Sequence, residues 1–144
     1  MYESVCDPLA EEVKEELLQL AETTPPSYQE ADIGLTYLDA DKMLEIFAPY
    51  MKKHFGKEMK FERAWVHWMK EGGSRPRHQH STWTYLYYLH IPEGDSGHIV
   101  FDRNEIIYPI EGTHIMFPGK TYHSITPNNT KQTRWAFAAE AVPI

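Results

Sequence analysis

From Lys60 onward the sequence changes texture. Short runs rich in Trp, Tyr, Ile and Val alternate with clusters of Gly, Pro and Asn. The first kind of residue suits a pleated, half-buried surface, and the second supplies turns. The pattern predicts strands over 61–69, 78–90, 98–102, 106–109, 113–117, 122–126 and 133–140. The turns between them fall at Gly72-Gly73, Pro92 to Gly97, Pro118-Gly119 and Pro127 to Asn129. So many short strands at such close spacing point to an antiparallel sandwich or jelly roll.

The segment before Lys60 reads differently. Asp7-Pro8 has the chemistry of an N-cap followed by a first helical residue. Leu9, Val13, Leu17, Leu20 and Ala21 then recur at helical spacing, up to about Thr23-Thr24 ahead of Pro25-Pro26. A second helix is expected from about Asp39 to His54, kinked or divided at Pro49, with Gly56 at the C-cap. The expected class is α+β: a double-stranded β-helix, or jelly roll, with N-terminal helices packed on one sheet. Residues 1–57 would be the helical support and 58–144 the β core, in one domain spanning 1–144. A chain of 144 residues is long enough to bury its own core.

Charge and cysteine content narrow the function. The net charge of −7 with neutral His opposes general nucleic-acid binding. The single cysteine, Cys6, allows no internal disulfide. The acidic start MYESVCDPLAEEVKEELLQL lacks the basic and apolar parts of a signal peptide, and no apolar run reaches membrane-spanning length. A cytoplasmic protein without a membrane partner is expected. A homodimer is left open.

The chemistry concentrates in histidines. In His78-Gln79-His80 the two imidazoles are two residues apart, so on a strand both project from one face. A third, His123, follows the turn FPGKTYH, with Gly112 and Pro118 ahead of it. Such a turn can return a distant His beside the first pair. Imidazole suits Fe, Zn, Cu and Ni alike, and three protein ligands leave coordination positions open for catalysis. His54, His67, His90, His98 and His114 read as ordinary core or surface histidines.

At these residues the chain resembles the iron(II)/2-oxoglutarate dioxygenases, above all their prolyl-hydroxylase-like branch and short bacterial and phage-type oxygenases. The matching parts run in order over roughly residues 65–140: His78-Gln79-His80, the strand Thr84-Tyr85-Leu86-Tyr87-Tyr88-Leu89, the segment Gly97 to Phe101, His123, and Arg134 eleven residues later. The family pattern has Asp where this chain has His80. The resemblance implies Fe(II) held by His78, His80 and His123, with no catalytic residue separate from the metal ligands. It also implies 2-oxoglutarate as cosubstrate, its distal carboxylate gripped by Tyr88 and Arg134, and hydroxylation of a small-molecule or peptide substrate. The chain also resembles the cupins, in His-x-His and in Gly112, Pro118 and His123. The cupin Glu is missing, since positions 84 and 85 are Thr and Tyr. That second resemblance implies a three-His metalloprotein working without 2-oxoglutarate, or a small-ligand-binding jelly roll.

Other residues near the site carry weaker expectations. Arg134, in a strand otherwise apolar over Trp135 to Ala138, needs an anionic partner, either a ligand or an internal Asp or Glu. Trp68 would face the cofactor or the core. Arg75 and Arg77 would border the pocket mouth or lie in solvent. Asp102 is a candidate for the missing carboxylate. Trp83, Tyr85 and Tyr87 are expected to pack under a helix, while the even-numbered residues from His78 to His90 line the barrel if that strand is continuous.

Overall fold

The computed structural model describes residues 2–144. In chain order the elements are β1 (Glu3–Cys6), α1 (Glu11–Thr23), β2 (Tyr28–Gln29), β3 (Ile33–Leu38) and α2 (Ala40–Tyr50). A π-helical turn (Met51–Phe55) follows, then β4 (Met59–Met69), β5 (Arg75–His78), β6 (Trp83–His90), β7 (Ile99–Phe101), β8 (Ile106–Ile107), β9 (Thr113–Phe117), β10 (His123–Ile125) and β11 (Arg134–Pro143). The strands form a seven-stranded sheet in the order β1-β9-β6-β11-β4-β3-β2 and a four-stranded sheet in the order β5-β10-β7-β8. Every strand pairing is antiparallel.

Strand alternation divides the large sheet into two apolar faces. Tyr85, Tyr87, Ala64, Val66, Phe137 and Ala139 join Leu17, Met43, Phe47 and Met51 in the core beneath the helices. Phe47 stacks on Phe137 at 4.3 Å and meets Tyr85 edge-on at 5.5 Å. Tyr88, Ile115, Phe117 and Ala136 point the other way, against Ile99, Phe101 and Ile107 of the small sheet. Two facing antiparallel sheets with helices on the outer face make the expected jelly roll. Trp83, Tyr85 and Tyr87 lie on the helix side, as their parity demands.

The structure corrects several expectations. Helix α1 starts at Glu11 with Ala10 as its N-cap, and no side chain caps it. Asp7 instead continues the path of β1: its N–H donates to Gly112 O at 3.0 Å. Its carboxylate lies 2.6 Å from His54 Nε2. A contact with the turn after α2 thus outcompetes the local capping role. Helix α2 is capped by Asp39, whose Oδ1 accepts from the N–H groups of Asp41 and Lys42. It passes through Pro49 and widens into the π-helical turn two residues later, ending at Gly56 in the left-handed conformation (φ 63°). The expected strand 78–90 is two strands in different sheets, joined by a bend over 79–82. Strands β1, β2 and β3 have no counterpart in the sequence pattern.

Candidate metal centre

β5 and β10 place His78 directly opposite His123. Directly opposed residues of an antiparallel pair share a face, and the two rings stand 4.2 Å apart. His80 arrives by another route. It lies in the bend after β5, where its N–H donates to Gly119 O at 2.7 Å. Gly119 belongs to the turn between β9 and β10, and a Cβ there would sit 1.4 Å from Thr82 O. The glycine lets two backbones touch, and that contact brings the bend up to His123. The three histidines then offer ligand atoms all within 4.8 Å of one another.

His78 and His123 turn their Nδ1 atoms to backbone carbonyls. His78 Nδ1 lies 2.6 Å from Pro76 O and His123 Nδ1 lies 3.0 Å from Thr121 O. A carbonyl only accepts, so both Nδ1 atoms carry the proton. His80 Nδ1 stands 3.7 Å from Glu140 Oε1. That last separation is beyond hydrogen-bond reach. His78 and His123 are held through the other ring nitrogen, as metal-ligating histidines ordinarily are. Burial lowers the pKa of all three, pushing His80 and His123 down to about 4. They are therefore neutral at neutral pH, the form that binds a metal. This donor set fits a divalent ion without rearrangement of the protonation state.

No carboxylate joins the three among the described residues. Asp102 is elsewhere, gripped by Arg77 through two hydrogen bonds of 3.0 and 2.8 Å on the surface. The nearest acid, Glu140, stands behind His80 and is shared with Arg63 at 3.4 Å.

The three histidines lie in the wall of a cavity between the sheets that opens to solvent. Thr84, Leu86 and Tyr88 of β6 and Ala136 and Ala138 of β11 form its floor. Arg134 closes the inner end, only 2% exposed. Its Nη1 donates to Ser96 O and Gly97 O at 3.4 and 3.3 Å, and its Cζ lies 5.2 Å from the Tyr88 ring centroid. No carboxylate among the described residues pairs with it. Arg134 Nε, the Tyr88 hydroxyl and the Thr84 hydroxyl are all buried without a hydrogen-bond partner. Such orphaned groups are costly unless a ligand satisfies them.

The structure thus brings His78, His80, His123, Tyr88 and Arg134 to one cavity. It sends Trp68 elsewhere: that ring lies 5.6 Å from Trp135 in a groove beside α1, on the opposite face of β4. The residues of β4 that do line the cavity are Trp65 and His67. His67 is fully buried with Nε2 unpaired, and burial holds its pKa well below the ordinary value. Sequence parity puts Trp65 and His67 on one face and Trp68 on the other, but only the pairing with β11 says which face is inside. The break after His78 also changes the β6 inventory: His90 leaves the cavity because a bulge separates Trp135 from Ala136 where β11 meets it.

No family model and no curated protein matches the chain. Solved structures do. A viral collagen prolyl hydroxylase from Paramecium Bursaria Chlorella virus-1, in complex with 2-oxoglutarate, matches with TM-score 0.76 at 17% identity, over 99% of this chain and 96% of its own. An oxidoreductase of the 2OG-Fe(II) oxygenase family from Burkholderia pseudomallei reaches TM-score 0.79 at 13% identity, covering 97% of this chain and 83% of its own. HygX from Streptomyces hygroscopicus, with nickel and 2-oxoglutarate bound, gives 0.74 at 10% identity, over 99% and 82%. With strand order, facing sheets and cavity already traced, these likenesses identify the architecture: the chain has the double-stranded β-helix fold of the iron(II)/2-oxoglutarate oxygenases.

Proposed function

We propose that the chain is a non-haem iron(II)/2-oxoglutarate-dependent dioxygenase that hydroxylates a small-molecule or peptide substrate. The observation that carries this reading is the inner end of the cavity. There a buried guanidinium has no carboxylate partner among the described residues, and the phenol beside it meets no polar group closer than a loose approach to that guanidinium. A dicarboxylate reaching from the histidines to Arg134 satisfies both.

In this reading His78, His80 and His123 hold Fe(II) through Nε2. Pro76 O and Thr121 O fix the orientations of the His78 and His123 rings. Arg134 binds the distal carboxylate of 2-oxoglutarate as a planar fork, and Tyr88 donates its hydroxyl to the same group. Thr84 and His67 supply further unpaired polar atoms in the same walls. The apolar walls, including Leu86, Ile99 and Ala138, exclude water from around the reacting groups. Bound Fe(II) would activate dioxygen, the four-electron oxidant: two electrons come from the oxidative decarboxylation of 2-oxoglutarate to succinate and carbon dioxide, with one oxygen atom entering succinate, and two from the substrate C–H bond that becomes C–OH.

A three-His metalloprotein that dispenses with 2-oxoglutarate is the second reading. The absence of a carboxylate among the clustered ligand atoms favours it. That reading gives Arg134 no anion.

Calorimetry with 2-oxoglutarate on the Zn(II)-loaded protein separates the two. Arg134→Ala should weaken binding by about 2–4 kcal/mol and Tyr88→Phe by about 1 kcal/mol. Unchanged affinity in a folded Arg134→Ala variant contradicts the carboxylate clamp. No binding to the parent favours the second reading.

A further inference from the structure

A strand alternates its side chains, so Arg75 and His78, three residues apart, should lie on opposite faces of β5. They do not. The register of β5 on β10 pairs His78 with His123 but Arg75 with Ile125. Three steps on one strand thus match two on the other, which is a β-bulge at Pro76-Arg77. Bulges re-aim side chains, and Pro is tolerated at them because it has no ladder N–H to lose. The consequence is that Arg75 joins the cavity wall with His78, His123 and Ile125. Arg77 turns outward onto Asp102, with its Cζ 3.8 Å from the Tyr122 ring centroid.

The two arginines end in opposite circumstances. Arg77 has a bidentate carboxylate. Arg75 is half-buried, with no hydrogen bond and no ion pair within 4.0 Å among the described residues. The acid nearest in effect, Glu30, hydrogen-bonds Tyr28 instead. A guanidinium aimed into a mainly apolar cavity without an anion is unfavourable. The same wall holds Arg134 and four histidines but no Asp or Glu. If 2-oxoglutarate occupies the metal end and Arg134, as proposed above, its two charges are both engaged and Arg75 is still unpaired.

We propose that Arg75 binds a carboxylate of the substrate, so that the cavity admits monocarboxylates with an apolar body beside Trp65 and Ile125. The flat fork of the Arg75 guanidinium matches a carboxylate. A phosphate dianion would call for further donors. The inference rests on the oxygenase reading only for the assignment of Arg134 to the cosubstrate.

The test uses Zn(II)-loaded protein saturated with 2-oxoglutarate. Benzoate and hexanoate are titrated by calorimetry against their neutral amides. At least one acid should bind about tenfold more tightly than its amide, a gap of about 1.4 kcal/mol. Arg75→Gln should abolish that preference while leaving 2-oxoglutarate affinity within about twofold, and Arg75→Lys should fall between. Equal binding of acid and amide, no binding of either acid, or a preference that survives Arg75→Gln overturns the proposal. So does a loss of 2-oxoglutarate affinity in Arg75→Gln as large as in Arg134→Gln. Tighter Arg75-dependent binding of methyl phosphate overturns the carboxylate assignment. If the parent does not bind 2-oxoglutarate, the oxygenase reading fails separately. The acid–amide comparison is then repeated on the Zn(II) protein alone, where dependence on Arg75 supports the proposal and dependence on Arg134 overturns it.

Discussion

His80 stands where the resembling enzymes carry a carboxylate, so a metal held by the proposed three histidines would have one negative charge fewer among its ligands. Glu140 lies 3.7 Å from His80 Nδ1, beyond direct hydrogen-bond reach, so it supports the ring only if that gap closes when metal binds. A carboxylate behind a ligating imidazole orients the ring and raises its basicity, and removing such a partner commonly costs about 10–100-fold in metal affinity. Glu140→Gln should therefore weaken Zn(II) binding by about 10-fold, as read by competition with a chelator. His80→Asp should keep its metal and turn over 2-oxoglutarate at least as well as the parent, while His80→Ala loses most of both. In the His80→Asp background Glu140→Gln should no longer weaken the metal, because the introduced carboxylate has no ring nitrogen for Glu140 to hold. An equal loss in both backgrounds would assign Glu140 a structural role only.

At the scale of elements, the centre depends on the bend 79–82 being pinned to the turn at Gly119. Thr82 O lies where a Cβ on Gly119 would be, and it is main chain that cannot swing aside. Gly119→Ala should destabilise the fold by about 3 kcal/mol, the upper part of the overpacking range, and lower metal affinity with it. Denaturant unfolding and chelator competition measure the two; unchanged values in both contradict the pinning role.

The same elements mark what could be read beforehand. His-x-His and the Pro118 turn pointed to His78, His80 and His123 as a group, but strand parity was the wrong reason for His80, which the bend brings in. Arg134 stood out as a charge beside the apolar run Trp135 to Ala139 and through the oxygenase resemblance. The bend 79–82 contains no Gly or Pro, so nothing local announced that the strand would change sheets there. β1 and β2 are short and largely exposed, with no buried alternation to reveal them. The choice between Trp68 and Trp65 with His67 depended on register with β11, which is a property of the folded sheet. The bulge that turns Arg75 inward was hidden for the same reason.

Across the whole molecule, buried neutral histidines make stability depend on pH. His114 donates from Nε2 to Asp7 O at 2.8 Å and accepts at Nδ1 from the Tyr85 hydroxyl. Burial lowers its pKa and that of His67. Each such group in the unfolded chain takes up a proton below its ordinary value of 6.5, while the folded form resists. The unfolded state then binds more protons, so stability rises with pH across that window. The metal-free protein should be most stable above about pH 6.5 and lose up to about 1.4 kcal/mol per pH unit for each such histidine as the pH falls. Below 3.8 the Asp7 carboxylate, held down by His54, adds a loss of the same sign. Urea midpoints at about pH 7.5 and about pH 5.5, on either side of the ordinary histidine value, check this. An unchanged or higher midpoint at the lower pH contradicts it.

The central claim is that one Fe(II) at His78, His80 and His123 shares the cavity with 2-oxoglutarate held by Arg134. Anaerobic titration of the Fe(II)-loaded protein with 2-oxoglutarate, followed by visible absorption, tests it most directly. The account predicts a charge-transfer band that saturates at one equivalent, shifts to higher concentration in Arg134→Ala and vanishes in His123→Ala. A protein that holds Fe(II) at these histidines yet develops no band at saturating 2-oxoglutarate would contradict it.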